Sequence, residues 1–128
     1  MPVYYKASKV KSHLDPEKKE RYYARPAKRQ NIGLREISRR LAMRSTASPG
    51  DVALVLNDLR DLLLELLGEN YNVHIDGFGI FSLTFKSDTA DTPEEITYNS
   101  VKEIRLQFLP DKEMKQELKT IKVRKVGG

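Results

Sequence analysis

The sequence contains no cysteine, which excludes disulfide scaffolds, thiol catalysis and zinc knuckles. Its two histidines, His13 and His74, are too far apart in the chain to form a local metal motif, so neither metal nor cofactor is expected. Long hydrophobic runs are also missing. Val52-Ala53-Leu54-Val55-Leu56 and Leu62-Leu63-Leu64 are far too short to cross a bilayer, and no membrane partner is expected. Residues 1–6 lack the apolar stretch and small-residue cleavage site of a secretory signal, so the expectation is a soluble cytoplasmic domain.

Catalytic motifs are equally scarce. Gly77-Phe78-Gly79 lacks the third glycine of a dinucleotide loop, because Ser82 stands in its place, and a strand follows where a helix belongs. There is no Walker A sequence, no Gly-x-Ser-x-Gly elbow and no His-Glu-x-x-His. Asp58, Asp61 and Glu65 are spaced along an outer helical face and read as solvated charge. His74 alternates with Val73 and Ile75 and reads as a partly exposed strand side chain. Neither an enzyme nor a small-molecule substrate is expected.

What is present is a basic chain of 128 residues, 39% hydrophobic, enough for one domain with a modest core. The formal net charge is +5, and it is unevenly placed. Residues 1–32 hold nine basic against three acidic groups, residues 33–86 six against seven, and residues 87–128 eight against eight. The excess therefore lies in the N-terminal segment, above all in Lys18, Lys19, Arg21, Arg25, Lys28 and Arg29. Tyr22 and Tyr23 lie within that cluster, a mixture that favours a nucleic-acid partner over a merely solvated surface.

Val3 to Lys11 and Arg21 to Arg25 are rich in extended-chain formers, and Ser12 to Pro16 reads as a turn. Residues 1–32 are thus expected to form a basic β-hairpin extension, with a separate domain over 33–128. No internal repeat is evident. Leu34, Ile37 and Leu41 mark a short amphipathic helix with Arg35, Arg39 and Arg40 outward, ending at Ser45-Thr46-Ala47. Ser48 caps a second helix, Pro49 takes its first position, Asp51 lies in the first turn, and Gly68 is expected to stop it.

Val52, Val55, Leu56, Leu59, Leu62, Leu63, Leu66 and Leu67 fill one stripe of this helix, roughly 140° wide. One short helix and a small sheet cover only part of such a stripe. A second copy of the chain is the economical cover, with a complete intrachain core as the alternative. Val55, Leu59, Leu62, Leu63 and Leu66, with Phe78 and Phe81, are the candidate dimer contacts.

Val73 to Ile75 and Phe81 to Phe85 read as strands joined through Gly77-Phe78-Gly79, where the glycines permit a tight bend or close backbone approach. Residues 87–97 are polar and acidic and read as a loop or hairpin tip. Ile104, Leu106 and Phe108 form a further strand face. Pro110-Asp111 opens a short helix with Met114 and Leu118 inward, and residues 121–123 form a final strand.

This order resembles the HU/IHF family of bacterial histone-like DNA-binding proteins. The resemblance is carried by Ser48-Pro49-Gly50-Asp51, by Val73-His74-Ile75-Asp76-Gly77-Phe78-Gly79-Ile80-Phe81, and by Phe108-Leu109-Pro110-Asp111-Lys112-Glu113-Met114-Lys115. It covers residues 33–120, and the N-terminal hairpin makes the chain similar in particular to HU-like proteins of Bacteroidetes. The resemblance implies an α+β, IHF-like fold: two helices, an antiparallel sheet with an arm hairpin, and a short C-terminal helix. It also implies a nucleoid-associated homodimer whose arms reach into the minor groove of double-stranded DNA.

Lys86 matches a basic residue at the base of the family's arm, and Lys112 the lysine of its Pro-Gly-Lys helix start, where Asp111 replaces the glycine. The family's Arg-Asn-Pro arm tip has no counterpart. Pro93 lies between Thr92 and Glu94, with Asp88, Asp91 and Glu95 nearby, and such a tip repels phosphate. Two readings stay open. One is a sequence-tolerant DNA-binding dimer that uses Lys86, Lys102, Arg105, Lys112, Arg25, Lys28 and Arg29 against phosphate. The other is an HU-like structural or protein-interaction dimer that has lost DNA intercalation. The charge argument does not separate DNA from RNA.

Overall fold

The computed structural model describes residues 2–10 and 20–127; the turn expected at residues 12–16, His13, Lys18 and Lys19 lie outside them. The chain divides into two compact units, residues 1–31 with 117–128 and residues 32–116. The C-terminal residues thus belong with the N-terminal segment, which the sequence reading had set apart as a hairpin alone.

In the first unit, β1 (Val3–Lys9) pairs antiparallel with β2 (Tyr22–Pro26), with Lys6 opposite Arg25 and Ser8 opposite Tyr23. The other edge of β1 pairs in parallel with Val123–Lys125, the last strand of the chain, with Tyr4 opposite Arg124. That strand starts two residues later than the expected 121–123. In the sheet order β1 lies between β2 and this last strand, which covers only Val3–Tyr5 of its second edge.

The second unit begins with α1 (Leu34–Met43) and α2 (Pro49–Gly68). Ser48 Oγ accepts a 3.1 Å hydrogen bond from Asp51 N, the expected cap, and Pro49 opens the helix where its missing N–H costs nothing. The other end falls where expected, but its closing residue differs. Gly68 is the last helical residue, and the left-handed position falls on Asn70 (φ 72°). Asn70 N donates to Leu67 O and Tyr71 N to Leu66 O, a Schellman closure that asparagine tolerates nearly as well as glycine.

The helices pack through small groups as much as large ones. Ser38 is 2% exposed and Leu67 5%, and Leu67 is the one buried hydrophobic residue among those described. Leu34, Ile37 and Leu41, expected to face inward, are each about 40% exposed, and Ser38 is the α1 residue that is buried.

Beyond α2, β3 (Val73–Ile75), β4 (Gly79–Ser87) and β5 (Val101–Pro110) form an antiparallel sheet in that order. Gly77 turns the chain at φ 86°. Gly79 lies so close to β5 that a Cβ there would overlap the Leu109 carbonyl oxygen and Pro110 Cα. Lys86 faces Glu103 while Ser87 faces Val101, so Lys102 is the extra residue of a β-bulge.

The tip between β4 and β5 does not continue as paired strands. It folds into two 3-10 turns, Pro93–Glu95 and Tyr98–Ser100, the second closed by a Thr97/Ser100 capping box. Finally α3 (Lys112–Leu118) half-buries Met114; Leu118, expected inward, is exposed. The last strand of the first unit, Val123–Lys125, is β6. No helix among the described residues is long and apolar enough to cross a membrane.

Candidate nucleic-acid interface

The pleat gives the β4–β5 ribbon two unlike faces, because residues directly opposite across the ladder share a side. Phe81/Phe108, Leu83/Leu106 and Phe85/Ile104 make one face apolar, with the Phe81 and Phe108 rings 4.8 Å apart and tilted by 46°. Ser82/Gln107, Thr84/Arg105 and Lys86/Glu103 make the other face polar. The register therefore brings together two of the expected phosphate contacts, Lys86 and Arg105.

Their environments differ. Arg105 donates to Glu103 Oε2 through Nε (3.1 Å) and Nη2 (2.9 Å). Lys86 forms no ion pair with any described residue. At the bulge Lys102 pairs with Asp88 at 3.1 Å, so one of the four tip carboxylates is already matched by a cation. These pairs are solvent-exposed and worth about 0–1 kcal/mol each, little enough for a phosphate to displace the carboxylate. Lys112 is exposed at the first position of α3 and has no ion-pair partner among the described residues.

In the first unit Arg25 stands on β2 opposite Lys6, and Lys28 and Arg29 follow in the exposed connector. None of the three is ion-paired to a described residue.

The candidate dimer contacts divide into two sets. Leu63 and Leu66 are half-buried within the chain, and so is Phe81. Val55 (63% exposed), Leu59, Leu62 (49%) and Phe78 remain open, together with most of the apolar sheet face.

Sequence reasoning missed the polar cluster at the foot of the sheet. His74 Nε2 lies 2.9 Å from each carboxylate oxygen of Asp111, and Gly77 N donates to Asp111 Oδ2 at 3.0 Å. The hydrogen bond to Asp111 raises the His74 pKa. The same bond from His74 lowers that of Asp111, with a further contribution from the Gly77 N–H. Thus the carboxylate that replaces the family's glycine is engaged by its own sheet. No periodicity links positions 74 and 111, so the pairing left no sequence signal.

On α1, Glu36 accepts from both Arg39 and Arg40, and these bonds, Arg39 first, hold its pKa down at about 2. Among the described residues no group of histidines and carboxylates could hold a metal ion.

The sequence model of the HU-HIG family, an HU domain fused to a wHTH, Ig or glycine-rich motif, matches residues 1–125. A comparison with curated proteins finds no match. The fold is similar to a crystal structure from Bacteroides vulgatus ATCC 8482, provisionally described as a bacterial DNA-binding protein, with TM-score 0.68 and 14% sequence identity. The superposition covers 97% of this chain and 49% of that one, so the chain spans about half the length of its structural neighbour. With a family match that runs from the N-terminal strands through β6, the chain belongs to the HU-HIG family of HU-domain proteins.

Proposed function

We propose that the chain is a DNA-binding module that works as a homodimer and holds the duplex chiefly through its phosphates, with little sequence preference. The observation that carries this reading is the two-sided β4–β5 ribbon in an HU-type domain. Its polar face presents Lys86 and Arg105 and its opposite face exposes apolar groups that a second copy would cover. Lys102 and Lys112 add charge on the same unit, and Arg25, Lys28 and Arg29 supply cations from the other. The DNA-binding description of the structural neighbour supports the same reading.

The test is fluorescence anisotropy with labelled duplex DNA at several salt concentrations. A dimer engaging about six to eight phosphates gives a slope of log K against log salt of roughly −5 to −7. A flat response overturns the proposal. Replacing Lys86 and Lys112 together with glutamine weakens binding to all duplex sequences alike, because phosphate contacts carry no sequence information.

A second reading is favoured by the tip, where Asp88, Asp91, Glu94 and Glu95 stand in place of the wedge that an HU-type arm uses. On that reading the dimer is a structural or protein-interaction module. A stable dimer that fails to bind duplex even at low salt selects it.

A further inference from the structure

The three-stranded sheet of the first unit also has two unlike faces. Lys9, Tyr22 and Glu20 cluster on one side: Lys9 Nζ lies 2.6 Å from Glu20 Oε1, and the Tyr22 hydroxyl donates to Glu20 Oε2 at 3.2 Å. The other side follows from the register. Tyr4, Lys6 and Ser8 on β1 share it with Tyr23 and Arg25 on β2 and Arg124 on β6. Tyr4 and Tyr23 are 47% and 48% exposed, and neither hydroxyl is hydrogen-bonded to a described residue. Lys6, Arg25 and Arg124 are exposed and have no carboxylate partner among the described residues.

Two cations placed directly across a strand pair, as Lys6 and Arg25 are, destabilise a sheet unless an anion lies between them. Two half-exposed aromatic rings beside them, neither in contact with another described ring, offer flat apolar area to a ligand. We propose that this face binds single-stranded DNA, with bases stacked on Tyr4 and Tyr23 and the intervening phosphates held by Lys6, Arg25 and Arg124. Tyr23 lies opposite Ser8, four residues along β1 from Tyr4, which separates the two rings by roughly 13 Å along the strand. Lys6 and Arg25 occupy the interval. Stacking platforms interleaved with cations suit unpaired strands because every base has a π-face, whereas duplex bases are already stacked. The site goes beyond the duplex contacts of the second unit; of the proposed duplex contacts it shares Arg25 alone, which none of the variants below changes.

The experiment titrates the full chain against fluorescein-labelled oligothymidylate, oligouridylate and blunt duplex DNA. Oligothymidylate binds with a salt slope of about −2, as expected for three phosphates of a single strand. Tyr4→Leu and Tyr23→Leu each weaken that binding by roughly tenfold and leave duplex affinity unchanged. Lys6→Gln lowers the magnitude of the slope by about 0.7 and carries the test should a tyrosine variant lose its sheet signal in circular dichroism. Replacing Lys86 and Lys112 weakens duplex binding and leaves oligothymidylate binding intact, so failure of either site is visible separately. Oligothymidylate affinity unchanged in the folded double tyrosine variant overturns the proposal. Tighter binding of oligouridylate than of oligothymidylate overturns its assignment to DNA.

Discussion

His74 and Asp111, thirty-seven positions apart, meet with Nε2 of the imidazole 2.9 Å from both carboxylate oxygens. Asp111 also accepts from Gly77 N through its carboxylate and donates its own N–H to Phe78 O at 2.9 Å. One residue at the start of α3 thereby fixes the Gly77-Phe78-Gly79 turn between β3 and β4.

This pair makes stability depend on pH in a calculable direction. The His74 pKa is raised above 6.5 in the folded chain, so its contribution is complete below pH 6.5 and is lost as pH climbs through the folded value. The Asp111 pKa is lowered from 3.8, so its contribution is complete above pH 3.8 and is lost as pH falls through the folded value. The bond therefore stabilises most between these limits. Thermal melts should show Tm falling from pH 6 toward pH 9 by more in the wild type than in His74→Gln. Parallel profiles for the two proteins would mean the bond contributes nothing.

Gly79 and Gly77 should respond to the same substitution for different reasons. A methyl at Gly79 meets the backbone of Leu109 and Pro110 on the paired strand, which cannot move without breaking the β4–β5 ladder. Gly79→Ala is expected to cost about 3 kcal/mol or more. At Gly77 no atom is closer than the Glu113 carboxylate at 4.0 Å, and the penalty is only the left-handed backbone, about 1–2 kcal/mol. Denaturant titrations of the two variants decide the order.

The contrast shows how much could be read before the structure. The Ser48 cap and the close approach at Gly-Phe-Gly are local signals that the structure repeats, while the leucine stripe is covered only in part, Leu67 being buried and Val55, Leu59 and Leu62 open. Pairings between distant positions were not legible. Nothing in residues 121–125 announces a parallel partner at Val3–Tyr5, and nothing in α3 announces His74. The end of α2 at Gly68 was legible, but its left-handed closing residue was not, because Gly68 and Asn70 are both competent there and only the closing bonds at Asn70 and Tyr71 choose between them. The cations were visible as composition, but their grouping by sheet face depends on register, including the bulge at Lys102.

Ser38 offers a stabilising substitution. Its Oγ is buried between helices without a hydrogen-bond partner, so it carries a desolvation penalty with no return. Ser38→Ala removes that oxygen at nearly constant volume and improves helix propensity. A gain of about 1 kcal/mol in chemical denaturation is expected. A loss of similar size would mean that the hydroxyl is satisfied in solution.

The proposed dimer can be tested on α2 by substitutions that a lone chain would tolerate. Val55 and Leu59 are exposed in the single chain, where polar replacements ordinarily change stability by no more than about 0.5 kcal/mol. Buried against a second copy, each would instead place an unpaired carboxylate in an apolar interface, a change large enough to separate the subunits. Light scattering after size exclusion should give twice the chain mass for the wild type. Leu59→Asp should give one chain mass or an unfolded chain, while Asp61→Ala, about 160° round the helix from Leu59, should leave the dimer intact. A wild type that elutes at one chain mass removes the dimer, and with it the count of six to eight phosphates on which the expected salt dependence rests.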